Sequence, residues 1–186
     1  MPNNCQNNLI ISGESNTLHL FYTAITQNLK EGNKFQILDN LYPCPKDMDN
    51  SRYDWNCEHY GTKWSEYEGW INSHGDNQLD LSFSTAWCPI KEGIVHVSAH
   101  YPTLTFLYSY HEGGMAFCGV YAIRNGEVIV EKEGVYPSIR FTDDSDTDAV
   151  YDAHDTALDS EMTSLTTWAV RTLNNLDVPR GTFTHV

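Results

Sequence analysis

The chain has 186 residues, 11 basic against 25 acidic side chains, a formal charge of −14 and an apolar fraction of 40%. That length and apolar content suit one domain with an elaboration, large enough to bury a core without staples. The charge argues against direct, sequence-independent nucleic-acid binding, which rests on phosphate neutralisation by Lys and Arg; it favours approach to a basic partner.

The opening, Met1-Pro2-Asn3-Asn4-Cys5, lacks the basic start and apolar core of a secretory signal. No apolar run reaches membrane-spanning length. The cysteines, at 5, 44, 57, 88 and 118, are odd in number and form no C-x-x-C pair, so reduced thiols are expected rather than a disulfide framework. A soluble protein of the cytoplasm is the expectation.

Leu9-Ile10-Ile11, bounded by Asn8 and Ser12-Gly13, predicts a buried strand. Leu18, Phe21, Tyr22, Ile25 and Leu29 then fall on one face of a helix over 15–30, with Ser15 or Asn16 to cap it and Gly32 to stop it. Residues 33–52, with Pro43, Pro45 and Asp47-Met48-Asp49-Asn50, read as a connection.

The stretch Tyr53–Trp70 carries three Trp and three Tyr with almost no aliphatic residues. Flat rings with polar handles beside Gly61 suit either a recognition surface or a rigid loop clamped on the body. After it, Glu66 to Ser73 and Leu79 to Trp87 flank Gly75-Asp76-Asn77 as a hairpin, and the second arm alternates Leu79, Leu81, Phe83 against Asp80, Ser82, Ser84. Pro89 opens a helix carrying Ile90, Ile94, Val97 and Tyr101, and Leu104 to Tyr110 reads as a strand. Asn125-Gly126 between Phe117–Ile123 and Val128–Glu131 is a strong hairpin signal. The order strand, helix, strand, strand, helix, strand with an added hairpin predicts an α+β, ferredoxin-like split βαβ sheet.

From Phe141 to Met162 there are eight acidic residues and no Lys or Arg. Leu158, Met162, Leu165, Ala169 and Leu176 then recur at helical intervals. The division expected is a body over 1–140 and, over 141–186, an acidic linker and an amphipathic helix that docks on the body or on another subunit.

Several constellations bear on chemistry. Trp55, Tyr60 and Trp64 are candidates to stack on a planar ligand, with Lys63 meeting its phosphate or carboxylate. In Tyr110-His111-Glu112-Gly113-Gly114-Met115, the neighbours His111 and Glu112 are candidates for proton transfer, or the glycines simply serve a turn. His96-Val97-Ser98 is half of a two-histidine phosphodiesterase signature without its second half. Cys44, Cys57, His59 and His74 match no zinc module. Asp144, Asp146, Asp148, Asp152 and Asp155 follow a calcium-loop spacing, but Ala149 stands where the bend wants glycine, and a solvated linker is the better reading. No metal or cofactor is expected.

Several phrases resemble the YubB-type ferredoxin-like family of small phage and conjugative-plasmid proteins: Met1-Pro2-Asn3-Asn4-Cys5-Gln6-Asn7, Leu41-Tyr42-Pro43-Cys44-Pro45, and Tyr60-Gly61-Thr62-Lys63-Trp64. Phe83-Ser84-Thr85-Ala86-Trp87-Cys88-Pro89 and Tyr110-His111-Glu112-Gly113-Gly114-Met115 continue it, over about residues 1–135. Asn4 and Tyr60 stand where that family commonly has Trp. The resemblance implies the ferredoxin-like fold and a mobile-element origin, and supplies no activity. Its topology suggests that Lys63, Trp64 and Trp87 share an end of the sheet with the turn Glu112–Met115.

The leading expectation is a binding protein that counters a host defence in the host cytoplasm. It would sequester a small planar, nucleotide-like anion or clamp a defence protein through Trp55, Tyr60, Lys63, Trp64, Trp87, His111, Glu112 and Met115. The alternatives are an acidic interaction module that mimics nucleic acid on a host enzyme, and a hydrolase built on His111 and Glu112. Self-association through the C-terminal helix is a further expectation.

Overall fold

A computed structural model describes residues 3–27, 29, 34–139 and 147–176. Six strands, β1 (Asn4–Ser12), β2 (Tyr67–His74), β3 (Gln78–Ala86), β4 (Thr105–Glu112), β5 (Phe117–Arg124) and β6 (Glu127–Glu133), form one sheet. Their order is β2-β3-β1-β4-β5-β6, with every neighbouring pair antiparallel. The helices are α1 (Ser15–Thr26), α2 (Leu38–Leu41), α3 (Arg52–His59), α4 (Lys91–His100) and α5 (Thr147–Asn175), with a 3-10 turn at Lys46–Ser51 before α3. The first four strands with α1 and α4 are the ferredoxin-like unit that the sequence predicts, and the β5–β6 hairpin extends it. Asn125 and Gly126, at φ +49° and +78°, supply the two positive-φ positions of that hairpin's turn.

Strand alternation sorts the side chains onto two faces. Leu9, Ile11, Leu79, Leu81, Phe83, Phe106 and Tyr108 meet Leu18, Phe21 and Ile25 of α1 and Ile94 and Val97 of α4 in the main core. On the other face Leu107, Val120, Ala122 and Val130 meet Leu165, Ala169 and Leu173 of α5. Covering a Leu or Val side chain is worth about 1.5–3 kcal/mol, so this second seam holds α5 on its own sheet.

Asn7 is buried and ties three elements together. Its Nδ2 donates to the Phe83 carbonyl at 3.3 Å and to Thr85 Oγ1 at 3.0 Å, while Tyr108 Oη donates to its Oδ1 at 2.8 Å. Tyr108 Oη in turn accepts the Ile90 N–H at 3.0 Å, which fixes the start of α4.

Three expectations change. First, α1 is preceded by Glu14, which makes no side-chain cap, and it ends at Thr26. The carbonyls of Ala24 and Ile25 there accept bonds from Asn40 Nδ2, and the Ile25 carbonyl also accepts the Gln36 N–H, so tertiary partners do the capping; Gly32 lies outside the described residues. Second, α5 begins at Thr147, so the acidic stretch from there on is helix rather than linker. Asp148, Asp152 and Asp155 therefore stand on a continuous helix, which cannot wrap an ion as a calcium loop does; Asp144 and Asp146 lie outside the described residues. Third, the aromatic stretch is not one loop, because its first part is α3. Among the described residues no helix is long and apolar enough to cross a membrane.

Candidate functional site

The starts of β1 and β2 and the ends of β3 and β4 bring together residues far apart in sequence. Gly61, at φ +83°, turns the chain out of α3. Thr62 then donates its hydroxyl to the Ala86 carbonyl at the end of β3. The Lys63 carbonyl accepts Asn56 Nδ2 at 2.8 Å, and the Gly61 carbonyl accepts the Cys88 thiol at 3.0 Å. These three bonds pin the loop 61–64 against the sheet end.

Trp87 follows β3 with a backbone φ of +71°, a conformation that bulky residues rarely adopt. Such a position costs of order 1–3 kcal/mol and persists only where the surroundings impose it. Here the Trp87 N–H donates to the Asn3 carbonyl at 3.0 Å, and Thr85 Oγ1 donates to the Cys88 carbonyl at 2.7 Å. The outcome is an indole left 37% exposed, with Lys63 Nζ 5.3 Å from its ring centroid. Trp64, 39% exposed, stands near Tyr67 with ring centroids 6.5 Å apart, and Tyr67 Oη donates to Asn4 Oδ1 at 2.7 Å. A bulge in β2 between Tyr67 and Trp70 keeps both of these rings on the face away from α1 and α4.

The predicted site residues divide. Lys63, Trp64 and Trp87 gather at this corner. Met115 lies in the exposed turn after β4, at the same sheet end, where a Cβ on Gly114 would run into Asn3 Nδ2. Trp55 and Tyr60 are not part of it. Trp55 is buried on α3 with its ring stacked on His59 at 4.2 Å; Tyr60 is fully buried and donates to the Tyr42 carbonyl at 2.6 Å. For these two the packing role, not the stacking platform, is the one found.

His111 and Glu112 are adjacent on a strand and so point to opposite faces. Glu112 is buried and accepts the N–H groups of Gly114 and Met115 at 2.7 and 2.6 Å, which makes it the clamp of its own turn. His111 lies on the α5 face, where burial holds its imidazole below the usual range; Asp159 and Asp155 oppose that shift and His154 adds to it. The two do not form a proton-transfer pair. Glu66 is a residue the sequence reading passed over. It is buried beneath the corner, accepts the N–H groups of Ile37 and Leu38 at the start of α2, and burial pushes its carboxyl up to about 7. The aromatic stretch holds four acids, Asp54, Glu58, Glu66 and Glu68, and no local pattern singles out the buried one.

His96 is half-buried and stacked on Tyr42, with ring centroids 3.6 Å apart. His59 and His74 stack on different rings, Trp55 and Tyr22, and the described residues contain no cluster of three His, Cys, Asp or Glu that could hold a metal ion. All five cysteines are free thiols, with Cys5 and Cys118 buried.

A family model described as the ferredoxin-like domain in Api92-like protein matches residues 66–154. It begins within the aromatic stretch, just past the loop 61–64, and runs into the first turns of α5, beyond the span of the resemblance read from the sequence. The uncharacterised protein YubB of Escherichia coli K12 is 35% identical over 80 residues, covering 42% of this chain. That match takes in 55% of YubB, so the chain spans about half the length of this curated relative. A crystal structure of the protein Api92 from Yersinia pseudotuberculosis superposes with a TM-score of 0.54 at 10% identity, over 76% of this chain and all of Api92. At that identity the superposition speaks to the fold alone. Family match, sequence relative and shared fold agree: residues 66–154 carry a ferredoxin-like domain of the Api92-like type, and the chain is similar to YubB in sequence and to Api92 in fold.

Proposed function

We propose that this is a non-catalytic binding protein whose corner of Trp87, Lys63 and Trp64 takes a planar, nucleotide-like anion. The observation that carries the reading is Trp87, held in a costly backbone conformation with its ring exposed beneath an ammonium group. Stacking on an aromatic side chain is worth about 1–3 kcal/mol per base, and Lys63 supplies local positive charge on a chain whose net charge is −14. Met115 extends the same sheet end with a flexible apolar contact.

In the mobile-element setting that the resemblance implies, such a protein would work in the host cytoplasm. It would counter a host defence by sequestering a nucleotide signal or by clamping a defence protein with the same rings. The separation of His111 from Glu112 removes the basis for a hydrolase built on that pair. A second reading, an acidic module or nucleic-acid mimic that occupies a basic site on a host enzyme, draws support from Asp148, Asp152, Asp155 and Asp159. These are exposed and recur at intervals of four, three and four along α5.

The test is to release small molecules from the purified protein by denaturation and identify them by mass spectrometry. In parallel, a panel of mono- and cyclic nucleotides is titrated against the wild type, Trp87→Ala and Lys63→Ala. The expected result is a bound nucleotide or a saturable titration that both variants lose at unchanged melting temperature. Titrations that are flat for every nucleotide, or unaffected by both substitutions, overturn the ligand reading.

A further inference from the structure

α5 covers only part of its face of the sheet: it packs on β4, β5 and β6. Ile10 of β1 joins the α5 cluster; beyond it, on the same face of β1, β2 and β3, the polar side chains Asn8, Asn72, Asp80 and Ser82 stay partly or fully exposed. Asn8 Nδ2 and Asn72 Nδ2 both donate to Asp80 Oδ1, at 2.7 and 3.1 Å, and Ser82 Oγ donates to Asn72 Oδ1 at 3.1 Å. This chain of bonds sets carboxylate, amide and hydroxyl groups in fixed positions across three strands. With strands about 4.8 Å apart, the area has the width of a peptide rather than of a single ion.

The edge of α5 beside this half-sheet is acidic. Asp155 and Asp159 both act on His111, which stands on β4, the strand next to β1. Glu161, on the opposite flank of α5 from Asp155 and Asp159, accepts the Val135 N–H just past β6 at 2.9 Å, so the aspartate stripe lies on the side of the helix toward β4 and β1. Burial keeps His111 from offsetting them with positive charge near neutral pH. At the opposite rim Trp70 is 45% exposed, and the chain's own Lys34 already seats its ammonium 4.9 Å from the ring centroid. The floor thus has an acidic wall on one side and a cation-holding ring on the other.

We propose that this trough docks a basic, Lys- or Arg-rich segment of a partner protein. Ammonium and guanidinium groups complement Asp80, Asp155 and Asp159, and a guanidinium also stacks on an indole face. Nucleic acid is disfavoured because the trough would repel its phosphates, and a second copy presenting the same acidic face would repel it equally. The trough is a separate surface from the Trp87 corner and does not depend on the ligand proposed there.

The test uses nona-arginine as the probe and a Gly/Ser peptide of equal length as the control, followed by amide NMR shifts on the full chain. Saturable shifts confined to residues such as Asn8, Asn72, Ser82 and Asp155, with none from the control, are expected. The double variant D155N/D159N should weaken binding about tenfold. E127Q/E133Q removes the same charge at the distant β6 edge and should weaken it less than twofold. Lys63→Ala with Trp87→Ala should leave peptide binding intact even where it abolishes nucleotide binding, which separates the two readings. Shifts scattered over the whole surface, or equal losses from the two charge-matched variants, would overturn the proposal. So would an oligo-dT strand that occupies the trough in preference to the peptide. The wild-type map stands whether or not the double variant folds.

Discussion

The aromatic stretch contains two regions of similar composition and opposite fate. In residues 53–60 the helix α3 turns Trp55 inward and Tyr60 completes the core, at 9% and 0% exposure. In residues 61–70 the chain follows a sheet end and a bulged edge strand, and Trp64 and Trp70 remain 39% and 45% exposed. Ring density does not separate packing from recognition. The backbone path does: a helix lying on a core has an inward face, whereas a loop crossing the end of a sheet has no layer above it. Trp87 joins the second group because its left-handed conformation keeps the indole at the sheet end instead of continuing the strand alternation.

The sharpest challenge to this division is Tyr60→Ala. It empties a fully buried site and deletes the bond to the Tyr42 carbonyl, so a loss of about 3–5 kcal/mol is expected in chemical denaturation. Trp64→Ala measured beside it should change stability by less than about 1 kcal/mol; similar losses would erase the distinction.

Gly61→Ala probes the hinge between the two regions and should cost about 1–3 kcal/mol, set mainly by the positive φ, since the Glu92 carboxylate that the new Cβ would meet can swing away. The measurement is again a denaturation midpoint, and a neutral outcome would mean that the loop 61–64 re-routes freely.

Glu66 gives a pH-dependent signature. Its folded carboxyl is raised to about 7 from an ordinary value near 4.5, so the folded state holds the proton more tightly than the unfolded chain does. Its contribution to stability is therefore fully present below pH 4.5 and is lost as the pH rises through 7. Melting temperature should fall over that window in the wild type more than in Glu66→Gln, which keeps an acceptor for Ile37 and Leu38. Parallel curves for the two proteins would show that Glu66 does not hold its proton.

The smallest stability effect is expected for Trp87→Gly. Glycine relieves the left-handed strain, about 1–2 kcal/mol, while the variant gives up the Lys63 contact, about 0.5–1 kcal/mol, so the two oppose each other. A melting temperature within about 3 °C of wild type, together with lost ligand binding, would mark Trp87 as kept for function. A large drop would make it a structural clamp like Tyr60.

Much of the fold is legible in the residues. Leu79, Leu81 and Phe83 alternate with Asp80, Ser82 and Ser84, which specifies a half-buried strand, and Asn125-Gly126 specifies the turn that the φ angles show. The candidate site is legible only in part. Lys63, Trp64 and Trp87 are visible as unusual residues, but that Trp55 and Tyr60 turn away from them depends on α3, whose eight residues have little apolar periodicity of their own. The acidic start of α5 hid its helix for the same reason, since exposed aspartates carry no sign of the seam that Leu158, Leu165 and Leu173 bury further along.

The sequence by itself determined the order of the six strands with α1 and α4, the two hairpins, the α1 and α4 faces of the core and the excess of negative charge. These follow from local period, turn chemistry and composition, which act over a few residues. Tertiary structure alone decided which aromatic rings are buried, that His111 and Glu112 look to opposite faces, and that the aspartates of α5 border a polar half-sheet. Each of those depends on what lies across a strand or above a face, often many residues away in sequence, and no local pattern encodes such neighbours.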